Sequence, residues 1–125
     1  MAVNYRIEPD ERIVYLATTG ESSLAEWREA MLAALSDSSY QLGFNFLSDR
    51  RLEKNMPDTQ FASGAADFLK LHYEEVGSYR WAAVSNNAAV YGMQRMFSIF
   101  SEMNGVPARV FTEFEEARSW LRSAE

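Results

Sequence analysis

The sequence contains no cysteine and a single histidine among its 125 residues. The absence of cysteine excludes disulfide bonds, thiolate metal sites and a cysteine nucleophile. A metal site would need oxygen ligands from separate elements, with the histidine as the one nitrogen ligand, and no metal-ligand spacing is present. The phosphate-binding patterns GxxxxGK[ST] and GxGxxG are also absent. We therefore expect no metal and no cofactor.

The sequence also lacks a long apolar run and a positive charge balance. No segment reaches the length of a membrane span, and MAVNYRIEPD at the amino terminus has no apolar signal core. The formal net charge of −6 disfavours nucleic acid and anionic membranes, because both attract clustered Lys and Arg. These absences favour a cytoplasmic protein with neither a nucleic acid partner nor a membrane span.

The composition that is present is that of an ordinary globular protein. Hydrophobic residues make up 47% of the chain and charged residues 24%, which lies far from the disordered classes. A chain of this length suits one hydrophobic core. We expect one domain over residues 1–125.

Apolar periodicity predicts five strands. Val3, Tyr5 and Ile7 alternate with polar residues, which is typical of an edge strand with one packed face. The more continuous run at 13–17 predicts a central strand that forms a hairpin with it. Further strands are expected at residues 43–47, 79–85 and 108–111.

Helix-start patterns separate these strands. The capping-box pattern SLAE at 23–26 predicts a helix over residues 24–35, and TEFE at 112–115 predicts the final helix. Asp58 or Thr59 begins a helix over residues 60–76 that Gly77 ends, and residues 85–87 precede another helix. The order ββαβαβαβα indicates an α/β fold with a five-stranded mixed sheet, an opening β-hairpin and alternating α/β units.

This order, together with the closing phrase ARVFTEFEEARSWL at 108–121, resembles the STAS/SpoIIAA-like superfamily. The nearest resemblance is to its uncharacterised bacterial branch, which is related in fold to CRAL-TRIO lipid-carrier domains. The resemblance spans nearly the whole chain and implies binding or regulation rather than catalysis. In anti-sigma-factor antagonists, a phosphorylated Ser follows an Asp at the helix start after the third strand. The matching place here is Asp58-Thr59, where Thr replaces Ser and the continuing Ser-Gly is missing.

Asp49, Arg50 and Arg51 follow the third predicted strand and form the first candidate site. Open α/β sheets bind ligands beyond the carboxyl ends of parallel strands, and Arg suits a planar anion. We expect these residues, with Asp58 and Thr59, to surround the polar end of a ligand or partner. An Arg50→Ala/Arg51→Ala variant should then fold and lose recognition. The alternative is a solvated loop whose charges pair with one another.

An apolar arc on the fourth helix is the second candidate site. Met93, Met96, Phe97 and Phe100 belong to it, and Met and Phe are adaptable linings for an apolar pocket. The same arc is also typical of a helix packed on a sheet, so core, pocket and subunit contact stay open.

His72 falls on the apolar face of its predicted helix. It could act as an acid or base, but neither a nucleophile nor an orienting carboxylate is identifiable beside it. A packed histidine with one satisfied hydrogen bond is the favoured interpretation.

Three functions follow from these observations. The first is a STAS-like binding or regulatory domain that holds a small apolar or amphipathic ligand between helices and sheet. The second is a protein-partner switch centred on Asp58-Thr59, and the third, less favoured, is an enzyme. The edge strand and aromatic-rich helices also predict a twofold homodimer.

Overall fold

The computed structural model describes residues 2–54, 59–77, 79–103 and 105–123. Within these ranges, the side chains of Thr59, Met93, Phe100, Ser101 and Met103 lie outside the description. The elements are β1 (Val3–Glu8), β2 (Ile13–Gly20), α1 (Leu24–Leu35), β3 (Asn45–Glu53), α2 (Thr59–Leu71), α3 (Tyr73–Val76), β4 (Trp81–Val84), α4 (Ala88–Met103), β5 (Ala108–Phe111) and α5 (Phe114–Arg122).

The strands form one mixed five-stranded sheet in the order β1-β2-β3-β4-β5. β1 pairs with β2 in antiparallel register, and β2 to β5 run parallel. The predicted α/β class, opening hairpin and alternating units are therefore confirmed.

Alternating side chains of the central strands serve two cores on opposite faces of the sheet. Val14 and Leu16 join α1, α2 and α4 in the larger core, whereas Ile13 and Tyr15 join α5 in the smaller one. This alternation follows from the two-residue period of a strand. The face covered by α1, α2 and α4 is called the helical face below, and the other is called the α5 face.

The helix predicted over 60–76 is divided at His72. That residue has φ −99° and ψ 25°, so α2 ends before it and the short α3 begins after it. Phe68 and Val76, on either side of the break, are both buried. Gly77 ends α3 with φ +70°, a left-handed conformation that favours glycine.

One of the two predicted capping boxes forms. Ser23 Oγ accepts the backbone N–H of Glu26 at 3.1 Å, and the Glu26 carboxylate accepts the Ser23 N–H at 3.1 Å. The prediction for 112–115 is wrong, because Glu113 is the N-cap residue of α5 and makes no side-chain cap bond. Since α5 begins at Phe114, Thr112 stands one position too early to cap it.

Candidate functional site

The charged segment Asp49-Arg50-Arg51 lies inside β3. The strand extends to Glu53, so the prediction of a strand over 43–47 followed by a loop is wrong. β2 pairs with this segment up to Gly20 and Glu53, which supplies backbone hydrogen-bond partners whatever the side chains carry. Strand formation here follows from the neighbouring strand rather than from local composition.

An irregularity in the β2–β3 pairing decides which way Glu53 faces. Ala17 pairs with Asp49, and Thr19 pairs with Leu52, so β3 contains one extra residue in this interval. Ala17 and Thr19 face the same side of the sheet, and their partners Asp49 and Leu52 therefore do so too. Arg50 faces the helical face by regular alternation after Phe46 and Ser48, and the bulge turns Glu53 to that same face.

Arg50 is a buried cation with three partners. Its side chain is 2% exposed, and Nη1 donates to Glu53 Oε2 at 2.7 Å. Nε donates to Ser48 Oγ at 3.2 Å, and the guanidinium carbon lies 4.8 Å from the ring centroid of Phe61. Glu53, Ser48 and the aromatic ring together offset the cost of removing this charge from water.

Asp49 and Arg51 pair with each other on the α5 face. The Arg51 guanidinium donates to both carboxylate oxygens of Asp49, at 2.9 and 2.8 Å, and lies 5.0 Å from the ring of Phe114. The hydrogen bond to Asp49 raises the pKa of Arg51. Asp49 and Arg51 thus stand apart from Arg50, on the other side of the sheet.

A small cavity lies beside Arg50 between the helices and the sheet. Its volume is about 10 Å³, close to the least space that holds one water molecule. All of its lining residues are buried, and they are Trp27, Arg50, Phe61, Ala62, Ala65, Trp81, Gln94 and Phe97. The cavity therefore combines aromatic and methyl walls with a few polar groups.

The two tryptophans that line the cavity carry unpartnered donors. Trp27 is 1% exposed and Trp81 is 2% exposed. Neither indole Nε1 has a hydrogen-bond partner among the described residues. A buried donor left without an acceptor costs about 1–3 kcal/mol. Both tryptophans that carry such a donor line the same cavity.

The predicted apolar arc contributes to this cavity through Phe97. The ring centroids of Phe97 and Trp81 are 5.3 Å apart. Met96 is half-buried and does not line the cavity. The side chains of Met93 and Phe100 lie outside the described part of the chain. Phe97 is thus the arc residue that the structure brings to Arg50.

The Asp58-Thr59 prediction is only partly described. Asp58 lies outside the described residues. Thr59 is the first residue of α2, which agrees with a helix that starts at this point. Its side-chain contacts fall outside the description.

His72 has a carboxylate partner that sequence reasoning missed. Its Nδ1 lies 2.9 Å from Glu75 Oε1, and its ring lies 4.3 Å from that of Phe68. The packed interpretation with one hydrogen bond agrees with this arrangement. The spacing of three residues could have indicated the pair. Neither His72 nor Glu75 lines the Arg50 cavity.

Sequence reasoning also missed Trp27, Trp81 and Gln94 as site residues. Trp27 falls in the helix predicted over 24–35 and Trp81 in the strand predicted at 79–85, and neither prediction gives them a shared role. The position of Gln94 could have indicated a site residue, because it lies three residues before Phe97 on an otherwise apolar helix face. A polar residue at such a position is typical of a buried polar contact.

Neither a cluster of metal ligands nor a membrane-spanning helix occurs among the described residues. Within these ranges, no group of three or more His, Asp or Glu residues could hold a metal ion. The helices in the described part of the chain are all too short or too polar to cross a membrane.

Comparison with known proteins supports the fold. No family model and no curated protein matches the chain. Among solved structures, it is similar to an uncharacterised protein of the DUF3478 family from Shewanella loihica PV-4, which has a SpoIIAA-like fold. The two are 15% identical with a TM-score of 0.63, over 96% of this chain and 92% of that one. The SpoIIAA-like fold is confirmed, whereas a relation to CRAL-TRIO domains is not shown.

Proposed function

We propose that this SpoIIAA-like fold serves as a binding domain for a small amphipathic molecule that enters between the helices and the sheet. The observation that carries the proposal is that Trp27 and Trp81, whose indole N–H groups have no partner among the described residues, line the same cavity. An acceptor atom of a ligand would satisfy them and recover stability that the ligand-free protein lacks.

The rest of the lining suits such a molecule. Small-molecule sites are mostly apolar and contain a few polar groups that fix orientation. Phe61, Phe97 and Ala65 supply apolar surface, while Arg50 and Gln94 supply polar atoms. The lining contains no carboxylate and no histidine, which favours binding over acid–base chemistry at this place.

The cavity is too small to hold such a molecule without a rearrangement of its walls. Its volume of about 10 Å³ accommodates little more than a water molecule. The walls come partly from α2, through Phe61 and Ala65, and partly from α4, through Gln94 and Phe97. A larger guest would enter by separating α2 from α4, and its affinity would include the free energy of that opening.

Native mass spectrometry and solvent extraction of gently purified protein provide the first test. We expect a bound organic molecule to accompany the chain. The second test is a fluorescence titration of the Trp120→Phe variant. Trp120 packs with Phe111 on the α5 face, away from the cavity, and its emission would otherwise add to that of Trp27 and Trp81. In that variant, octanamide, octanol or octanoate should change the fluorescence of Trp27 and Trp81. Repeated absence of both a copurified molecule and a fluorescence change would overturn the proposal.

A matched pair of alanine variants controls for the cavity. Ala65 is buried in the lining, whereas Ala33 is exposed on α1. Ala65→Val should fill the cavity and weaken binding of the probe, and Ala33→Val should leave binding unchanged. Equal effects of the two substitutions would argue against this cavity as the site.

The second candidate function is a partner-binding switch at Asp58-Thr59. Its support is that α2 begins at Thr59, because the amino-terminal end of a helix favours phosphate oxygens. Thr59→Glu should then weaken capture of a protein partner in a pull-down while the protein still folds. A change in stability alone would identify Thr59 as a structural cap.

A further inference from the structure

The charge balance beside the cavity distinguishes between classes of ligand. Arg50 is the charged residue in the cavity lining. Its Nη1 donates a hydrogen bond to Glu53 Oε2 at 2.7 Å. The two side chains are 2% and 0% exposed. Because the pair is buried at hydrogen-bond distance, the Arg50 charge is already balanced before a ligand arrives.

The other polar groups in the lining are uncharged. The indoles of Trp27 and Trp81 donate a hydrogen bond but carry no charge, and the Gln94 amide is neutral. The two indole rings are neighbours, with centroids 6.1 Å apart. A carbonyl oxygen has two lone pairs and can accept one hydrogen bond from each indole.

A carboxylate would meet a less favourable environment than a carbonyl. It would lose its hydration and become a second anion beside Arg50, in competition with Glu53. An uncharged oxygen loses far less hydration and still satisfies the indole donors. The buried ion pair therefore selects against a ligand that carries its own negative charge.

We propose that the ligand presents an uncharged oxygen acceptor, such as an amide, ester, ketone or hydroxyl oxygen, to Trp27 and Trp81. This inference rests on the proposed function and specifies its ligand class. Glu53 acts as the specificity-determining residue, because it holds the charge of Arg50 in balance.

Octanamide and octanoate form a matched pair of probes, since they share chain length and a carbonyl group but differ in charge. Titration at neutral pH in the Trp120→Phe background should show octanamide binding at least about tenfold more tightly than octanoate. Trp27→Phe and Trp81→Phe each remove one donor and should weaken octanamide binding about threefold to tenfold. Both variants retain an aromatic ring but replace the indole by a smaller phenyl group.

The Glu53→Gln variant tests whether Glu53 sets the preference for octanamide over octanoate. The substitution preserves the side-chain size but removes the charge that balances Arg50. Octanoate binding should become tighter, and the preference for octanamide should fall or reverse. Glu29→Gln, at an exposed position on α1, is the matched control and should leave the preference unchanged.

The outcomes separate this inference from the proposed function. If octanoate bound as tightly as octanamide to the protein with Glu53 unchanged, the inference would be overturned. The proposed binding function would still be supported. Binding of neither probe would also overturn the inference, and the proposed function would fall as well if no molecule copurified. Should Glu53→Gln fail to fold, the probe comparison and the two tryptophan variants decide the question.

Discussion

Arg50 and Arg51 are neighbours in sequence with different surroundings. Arg50 is 2% exposed and paired with buried Glu53, whereas the side chain of Arg51 is 41% exposed and paired with Asp49. Removal of one member of a buried ion pair leaves an uncompensated charge, but removal of a surface partner costs little. The double alanine variant is therefore expected to lose stability through Arg50.

The single variants should show this difference directly. We expect Arg50→Ala to lower the free energy of unfolding by about 3–5 kcal/mol, and Arg51→Ala to lower it by less than about 1 kcal/mol. Urea denaturation followed by circular dichroism measures both. The Arg50→Met/Glu53→Leu variant is the control, because it removes both charges and should be much less destabilised than Arg50→Ala. Equal effects of the two alanine substitutions would contradict the buried pair.

Tyr40 gives a prediction about alkaline pH. Burial, followed by the charge of Glu75, raises its pKa from 10.0 to about 12. Its hydroxyl donates to the backbone oxygen of Glu75 at 3.1 Å. The folded protein therefore holds the phenol proton more tightly than the unfolded chain does. The resulting stability is present below pH 10 and is lost as pH rises towards about 12.

The Tyr40→Phe variant tests this linkage. Denaturant titrations at increasing pH should show the unmodified protein losing stability more steeply than Tyr40→Phe over that window. Burial also raises the pKa of Tyr79, but Tyr79 is common to both proteins. Identical pH profiles would show that Tyr40 ionises as readily in the folded state as in the unfolded state.

At the scale of elements, α1 and α5 have similar start signals but different caps. Ser23 exchanges hydrogen bonds with Glu26 at the start of α1, whereas Glu113 precedes α5 without a side-chain cap bond. Start patterns specify which amides need partners, but the packing of the helix decides where its first turn lies. Ala117 and Leu121 are buried against the sheet and hold α5 in its observed register.

Two alanine variants compare the caps. Ser23→Ala should lower the free energy of unfolding by about 1 kcal/mol. Thr112→Ala should change it by no more than about 0.5 kcal/mol, because Thr112 is exposed and precedes the cap position. Thermal and urea denaturation supply the measurement. A loss at Thr112 as large as that at Ser23 would indicate a cap on α5 that the structure does not contain.

At the scale of the whole molecule, the sheet ends in two edge strands. β1 and β5 each pair on one side within the described sheet. Large apolar side chains are also exposed elsewhere, including Leu71, Tyr73 and Ile99. Edge strands and exposed apolar groups are common contact surfaces between copies of a chain. They support the proposal of a twofold homodimer.

Light scattering across a concentration series tests this association. We expect a mass of twice 14.3 kDa at high protein concentration. A constant mass of 14.3 kDa over the series would defeat the proposal.

The sequence by itself determined the kinds and order of the elements, apart from the break at His72 that divides the helix predicted over 60–76 into α2 and α3. Alternation at Val3, Tyr5 and Ile7 predicted an edge strand, and the Ser23 and Glu26 side chains predicted a helix start; both are present. These signals are local, because a strand period or a cap involves residues a few positions apart. For the same reason, the charged residues at 49–51 are typical of a loop when only their neighbours in sequence are considered.

Only the tertiary structure decided which side chains form the candidate site. Trp27 lies on α1 and Trp81 on β4. They meet because α1 covers the side of the sheet that Trp81 faces. Arg50 joins them because β3 continues past Leu47 beside β2, and a bulge opposite β2 turns Glu53, its partner, to the same face. The extent and register of a strand depend on contacts between segments distant in the chain, so the residues around Arg50 cannot alone specify that β3 continues or that Glu53 faces Arg50.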